Sequence, residues 1–236
     1  MNLVDIHTHI VPGVDDGAQD VKTAYAMLDM AYKSGVRYMI MTPHYNEFRG
    51  LVTDGREAFD ELAAYCKERY PDLKLYYGNE IRYSSNTIDL LRAKKVFPLA
   101  GSNYVLTEFS TAVKVSFIRA ALDELSMRGY IPVIAHLERY ASLYKCSLDQ
   151  LDEFKEIGAL FQVNASSIYS GSFRTKRFVK KLIKYDMLDF VASDCHDQSF
   201  RKPDVSEAYR YISSKYDTEY AKQIFFKNPA EIININ

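Results

Sequence analysis

Short apolar runs punctuate the chain and alternate, from end to end, with stretches whose apolar residues recur at helical spacing. The runs Leu3 to His7, Val36 to Thr42, Leu73 to Glu80, Tyr104 to Phe109, Ile131 to His136, Ala159 to Asn164 and Leu188 to Asp194 predict strands, because they are brief and rich in aliphatic or β-branched residues. Helices are expected to begin near Asp20, Asp54, Asn86, Val115, Leu148 and Phe173, with a final pair near Asp204 and Thr218. Phe59, Leu62, Ala63 and Cys66 sit at helical spacing in the second of these, and Asp20 and Asp54 are candidate N-caps. Gly35, Gly129 and Gly158 each precede a strand, where a helix C-terminus favours a residue tolerant of positive φ. Strand, loop, helix, glycine, strand is the repeating unit, and it predicts a parallel α/β fold of seven strands.

Polar residues fall in register with the predicted strand ends. His7 and His9 close the first strand, His44 follows the second, Glu80 ends the third and Glu108 lies near the end of the fourth. His136 ends the fifth, and Asp194 with His196 ends the seventh. All five histidines of the chain thus lie at or just past strand C-termini. An open doubly wound sheet would spread these ends along an edge at roughly 4.8 Å per strand, too far for one site. Closure into a distorted seven-stranded parallel barrel, a (β/α)7 fold, would gather them on one face.

Size and charge narrow the function. With 236 residues, 47% of them hydrophobic, the chain can bury one large core, so residues 1–236 are expected to form a single domain. A formal charge of -1 supplies no global field for nucleic acid, and none is expected as a partner. A charged residue, Asp5, appears within the first five positions, which argues against a secretory signal. Apolar runs such as Tyr38 to Met41 and Ile131 to Ala135 fall far short of the roughly 18 residues of a membrane span. A cytoplasmic protein, not embedded in a membrane, is the expectation. Cys66, Cys146 and Cys195 form no Cys-x-x-Cys pair and read as reduced thiols.

His7-Thr8-His9 places two imidazoles on the same side of an extended chain, since strand side chains alternate. Alone that is a weak signal. Five histidines together with Asp16, Glu80, Glu108 and Asp194 are a stronger one, because imidazole and carboxylate suit borderline and hard divalent cations. These nine ligands exceed what one tetrahedral or octahedral ion can use, so two or three ions are expected.

The blocks His7-x-His9, Val14-Asp15-Asp16-Gly17, Thr42-Pro43-His44, Gly78-Asn79-Glu80-Ile81, Glu108-Phe109, Pro132-Val133-Ile134-Ala135-His136-x-Glu138-Arg139 and Ala192-Ser193-Asp194-x-His196 resemble the polymerase and histidinol phosphatase (PHP) superfamily. The resemblance spans almost the whole chain, and it is closest to the manganese-dependent protein-tyrosine phosphatases of bacterial capsule and exopolysaccharide loci. It implies a PHP-type barrel in which His7, His9, Asp16, His44, Glu80, Glu108, His136, Asp194 and His196 hold three ions, with Glu80 bridging. Manganese is the metal it implies, with iron or zinc compatible. Arg139 and Arg201 are implied as the catalytic and substrate-binding residues that grip phosphate, a role that suits the planar guanidinium fork. The implied substrate is a phosphotyrosine protein, the tyrosine-rich tail of a bacterial tyrosine kinase that controls polysaccharide assembly.

Such a centre implies direct in-line displacement at phosphorus by activated water, without a phosphoenzyme. Asp16, Asp197 or water at the metals are candidate proton donors. Competing readings on the same residues are a small-phosphomonoester phosphatase acting on a histidinol-phosphate-like substrate, a nuclease, and a non-catalytic phosphotyrosine-binding module. An amidohydrolase also opens with His-x-His, but it usually relies on a carboxylated lysine where this chain has Glu108.

Other features have plainer readings. Cys195 and Arg201 share the Cys-x5-Arg spacing of cysteine-dependent tyrosine phosphatases, yet the loop between them has no glycine and the thiol is flanked by Asp194 and Asp197. Arg174, Lys176, Arg177, Lys180, Lys181 and Lys184, interleaved with Phe178, Val179, Leu182 and Ile183, predict an amphipathic helix with a solvated cationic face; the alternative is that its N-terminal part, with Arg174, attracts an acidic or phosphorylated peptide. Of the tyrosines, Tyr45, Tyr83, Tyr140 and Tyr169 follow strands and are candidates to stack on a phosphotyrosine ring. The segment from Tyr45 to Thr53, where the family resemblance is weakest, is expected to shape substrate access.

Overall fold

The computed structural model describes residues 2–235. Its nine strands are β1 (Leu3–Thr8), β2 (Val36–Met41), β3 (His44–Tyr45), β4 (Lys74–Tyr77), β5 (Glu80–Arg82), β6 (Tyr104–Glu108), β7 (Ile131–Ile134), β8 (Leu160–Asn164) and β9 (Phe190–Ala192). Every strand pairing among them is parallel. One sheet runs β1-β2-β4 and the other β3-β5-β6-β7-β8-β9. The α/β class and the parallel arrangement are therefore as the sequence leads one to expect.

The strand count differs, nine against seven, because a further strand, β3, follows the second run just past its expected end at Thr42, and the third run is split. Pro43 separates β3 from β2, since it has no N–H to offer the ladder. Within the third, Asn79 turns aside: its N–H donates to Phe97 O, its Oδ1 accepts from Phe97 N at 3.0 Å, and its Nδ2 donates to Pro43 O at 3.1 Å. The two sheets also meet at their far edges. A parallel bridge joins Thr8 to Cys195, with Asp194 N donating to His7 O at 2.9 Å and His9 N to Cys195 O at 3.0 Å.

Helices α1 (Val21–Lys33), α2 (Arg56–Arg69), α3 (Thr87–Arg92), α4 (Val115–Met127) and α5 (Leu148–Glu156) connect the earlier strands. They are followed by α6 (Ala165–Tyr169), α7 (Phe173–Lys184), α8 (Ser206–Lys215), α9 (Thr218–Lys222) and α10 (Asn228–Ile232). Asp20 caps α1, accepting from Thr23 N at 2.7 Å. Asp54 does not cap α2: Gly55 holds that position, and Asp54 binds the Arg56 N–H and guanidinium instead. At five residues each, α6 and α10 are too short to leave a periodic signal, which is why the apolar pattern does not announce them.

Parallel strands covered on both faces read as near-continuous apolar runs, and β1 is buried at all six positions. The apolar faces of the helices complete the core: Ala24, Met27, Leu28 and Ala31 from α1, and Ile118, Ala121, Leu122 and Leu125 from α4. A smaller cluster joins Val4, Ile6, Ile40, Leu106 and Phe190 to Ile232 of α10. Cys66, Cys146 and Cys195 are free and buried. Among the described residues, no helix is long and apolar enough to cross a membrane.

Candidate metal centre

Parallel pairing brings the strand C-termini together, and the polar residues there converge on Glu80, at the start of β5. Its Oε2 lies 2.9 Å from His44 Nδ1, 3.2 Å from His7 Nε2 and 3.3 Å from His9 Nε2. Its Oε1 lies 2.6 Å from His136 Nε2. Asp194 Oδ1 is 3.5 Å from Nε2 of both His7 and His9. Glu108 approaches His44 at 3.9 Å and His136 at 4.0 Å. On the open side, Asp16 Oδ1 lies 3.4 Å from Nε2 of both His44 and His196. All nine candidate ligands of the sequence thus belong to one connected cluster, and all but Asp16 are buried.

Backbone conformation aims two of these side chains. His136 and Asp194, just past β7 and β9, have φ of 33° and 51°, in the left-handed region that non-glycine residues rarely occupy. The strain at His136 is held by its N–H, which donates to Gln162 Oε1 at 2.7 Å. Gly17 serves a similar end, since a Cβ there would come within 2.0 Å of His9 O. Only glycine lets the Asp15-Asp16 loop fold back on β1 so closely.

The cluster fits divalent cations on its own chemistry. His7 Nε2 and His9 Nε2 face each other at 3.1 Å, and the buried atoms Glu80 Oε2, His44 Nδ1 and His196 Nε2 have no hydrogen-bond partner. Buried polar atoms of this kind are normally satisfied, so such a group of them calls for an electrophile in their midst. Burial, reinforced by the Glu80 charge, pushes the Glu108 carboxyl up to about 7, repulsion that a cation would relieve. Burial alone would lower His7, but the Glu80 and Asp194 carboxylates override it and raise the imidazole to about 9. Three overlapping groups have ligand geometry: His9, His44 and His196; His7, His9, Glu80 and Asp194; and His44, Glu80 and Glu108.

Both arginines stand at this cluster, and both also hold Asp194. Arg139 Nη2 forms an ion pair with Asp194 Oδ2 at 2.9 Å, and Arg201 Nη2 donates to Oδ1 at 2.7 Å. Each fork keeps further N–H groups for another anion. Glu138, beside Arg139, is no simple ion-pair partner: buried, it accepts from Asn164 N at 3.0 Å and Ser167 Oγ at 2.7 Å.

Several supporting residues escaped the sequence reading. Asp15 Oδ2 takes the His9 Nδ1 contact at 2.7 Å and accepts from His44 N at 2.9 Å. Gln162 Oε1 lies 3.1 Å from His7 Nδ1, and Asn164 Nδ2 donates to Asp194 Oδ2 at 2.7 Å. Asp15 was visible inside the Asp15-Asp16-Gly17 block, where a carboxylate near a ligating histidine is a recognisable partner. Nothing in sequence marks Gln162. A carboxylate on the far nitrogen fixes the tautomer of a ligating imidazole, so Asp15→Asn is expected to weaken divalent-metal affinity about 10- to 100-fold, as read by calorimetric titration.

Other expectations need correcting. Tyr140 is not a stacking platform: it is fully buried, accepts from Phe109 N at 3.0 Å and lies 3.4 Å from His136 Nδ1. Tyr83 is buried too, with its hydroxyl on Glu124. Tyr169 does line a small cleft with Phe200 and Arg201. Asp197 is a poor proton donor. Burial would raise its carboxyl, but N–H groups of Ser199, Phe200 and Arg201 outweigh that and hold it below the usual range. The access segment folds back through an Asn46–Leu51 bridge, places Arg49 3.3 Å from Asp16 and leaves Phe48 exposed.

Cys195 is fully buried, and burial, aided by the Asp5 charge, pushes its thiol well up, far from a reactive thiolate. Cys195→Ser is accordingly expected to keep wild-type turnover and metal content, whereas a cysteine mechanism would lose all activity.

A parallel α/β fold with imidazole and carboxylate gathered at its strand C-termini defines a candidate hydrolase with a multi-ion centre. Residues 3–234 match the family described as capsular polysaccharide synthesis, CpsB/CapC, and the chain belongs to that family. It is 34% identical over 239 residues to the tyrosine-protein phosphatase CpsB of Streptococcus pneumoniae, covering 98% of each chain. To the tyrosine-protein phosphatase YwqE of Bacillus subtilis it is 32% identical over 222 residues, 92% of this chain and 86% of that one. A solved structure from work on YwqE and CpsB, described as metal-dependent tyrosine phosphatases, superposes with a TM-score of 0.87 at 28% identity, covering 98% of this chain and 94% of the other. A phosphotriesterase from Mycobacterium tuberculosis shares the fold alone, with a TM-score of 0.60 at 11% identity over 98% of this chain and 94% of that one.

Proposed function

We propose that this chain is a metal-dependent protein-tyrosine phosphatase that uses two or three divalent ions, manganese first among them. The observation that carries the reading is the convergence of four imidazoles on the two oxygens of Glu80, beside two arginines that share Asp194. His7, His9, Glu80 and Asp194 would hold one ion; His44, Glu80 and Glu108, with His136, another; and His9, His44, His196 and Asp16 a third. When bound, divalent ions lower the pKa of water and offset charge at phosphorus. We read the nine strands as seven staves of a distorted barrel, β2 continuing into β3 and β4 into β5, within a single domain of residues 1–236.

The side chains divide the work. Arg139 and Arg201 present N–H groups to the non-bridging phosphate oxygens, and their shared hold on Asp194 fixes both forks before substrate arrives. Asp15 and Gln162 orient His9 and His7 through their outer ring nitrogens. The leaving phenoxide, with a reference pKa of about 10, needs less acid assistance than an alkoxide, so a dedicated side-chain proton donor is not required. Direct in-line displacement follows, with no phosphoenzyme.

Membership of a family described as capsular polysaccharide synthesis supports a phosphotyrosine protein of polysaccharide assembly as substrate, and we place it in the cytoplasm as the tyrosine-rich tail of a bacterial tyrosine kinase. Comparing phosphate release from a phosphotyrosyl peptide, from histidinol phosphate and from single-stranded DNA, each with added manganese, tests this. Preferred turnover of the peptide is expected. A preference for histidinol phosphate would install the small-monoester reading, and tight peptide binding without phosphate release would leave a binding module.

A further inference from the structure

Helix α7 lays Arg174, Arg177, Lys180, Lys181 and Lys184 along a cleft of about 1250 Å³, and the facing turn, Ala141–Lys145, adds Lys145. Among the described residues none of these six is in an ion pair, and only Lys181 among them hydrogen-bonds through its head group, donating to Cys146 O at 2.7 Å. Arg177, Lys180, Lys181 and Lys184 follow one another at three- and four-residue helical spacings, where like charges repel. Such a concave, uncompensated field attracts a polyanion.

The floor of the cleft ties it to the catalytic face. Phe178 packs on Tyr144 with ring centroids 5.2 Å apart, and the Tyr144 hydroxyl donates to Glu138 O at 2.5 Å, in the turn that carries Arg139. The cleft and the turn that carries Arg139 thus share Tyr144 as a common wall. A bilayer is the poorer match. Helices that lie on membranes insert an apolar face, and the apolar face of α7, formed by Phe178, Val179, Leu182 and Ile183, is already buried in the core.

We propose that this cleft is a second recognition site, which binds the acidic residues flanking phosphotyrosine in a protein substrate; the assignment rests on the phosphatase reading above. The site sets substrate choice through KM and takes no part in the bond-breaking step.

The test combines Arg177→Gln, Lys180→Gln and Lys184→Gln, three exposed residues outside both core and ion cluster. Kinetics are measured on the full chain with a phosphotyrosyl peptide flanked by glutamates, the same peptide flanked by glutamines, and a small aryl phosphate. For the glutamate peptide KM is expected to rise about tenfold, the size expected from losing three exposed charge pairs. Constants for the other two substrates should stay at wild type. Equal changes for both peptides, or no change, would overturn the proposal.

Fluorescence anisotropy with the unphosphorylated glutamate peptide separates this from failure of the phosphatase reading. Binding that the triple variant weakens supports the cleft even in a protein that releases no phosphate. If equimolar phosphatidylglycerol–phosphatidylcholine vesicles bind the wild type and not the variant, while peptide binding is unchanged, the cleft faces a membrane and the proposal fails.

Discussion

Glu80→Gln is expected to lower kcat for a phosphotyrosyl peptide by about a thousandfold or more, the scale of losing one preorganised charge-stabilising group, while the fold persists. Both oxygens of Glu80 are committed, Oε2 to His44, His7 and His9 within 3.3 Å and Oε1 to His136 at 2.6 Å. Glutamine matches it in shape but removes the charge and points an amide N–H₂ at imidazole nitrogens whose lone pairs would otherwise serve as metal ligands. Elemental analysis should therefore show fewer ions per chain, with an unchanged far-ultraviolet circular dichroism spectrum. Glu80→Asp keeps the charge on a shorter arm and should fall between. Normal turnover with full metal occupancy in Glu80→Gln would remove Glu80 from the centre.

The second large effect concerns the two arginines. Arg139→Lys and Arg201→Lys should each cut kcat/KM by about 10²- to 10³-fold, because an ammonium keeps the charge but loses the planar fork that matches phosphate. Metal content should be unaffected. The double variant should depart from additivity, since both guanidinium groups hold the same carboxylate, Asp194, at 2.9 and 2.7 Å, and residues sharing a partner couple. A change in KM alone, with kcat preserved, would mean that these arginines bind ground state and transition state alike.

Residues that act through strand register were the most legible part of the protein. His7-x-His9, His44, Glu80, Glu108, His136 and Asp194 each mark where an apolar run stops, and parallel pairing then leaves them little choice but to meet. His44 and Glu80 are direct register partners across β3 and β5. What the sequence hid depends on contacts between distant segments. Gln162 lies within β8 and touches His7 and His136, more than a hundred and about two dozen residues away respectively. No spacing rule links such positions. The two extra strands were half visible: Pro43 marks the end of the second run, after which β3 begins, but Asn79 breaks the third run by pairing with Phe97, a partner that only the fold supplies. Asp54 and Asp197 illustrate local competition, since each bonds backbone N–H groups just downstream and is thereby taken from the role its position suggested.

The cationic helix shows the reverse case. Its apolar stripe is buried as periodicity leads one to expect, and from sequence its cationic face reads first as solvated, with attraction of an acidic peptide at the Arg174 end as the alternative. Only the turn that carries Tyr144 and Lys145 makes that face one wall of a cleft.

One experiment bears on the central idea, that the imidazoles and carboxylates at the strand ends would hold divalent cations on which phosphate release depends. Protein purified without chelators is analysed for metals, then assayed for phosphate release from a phosphotyrosyl peptide before chelation, after it, and after manganese is restored. More than one ion per chain, activity abolished with their removal and activity regained on their return is the expected result. Undiminished turnover by fully stripped protein would contradict it.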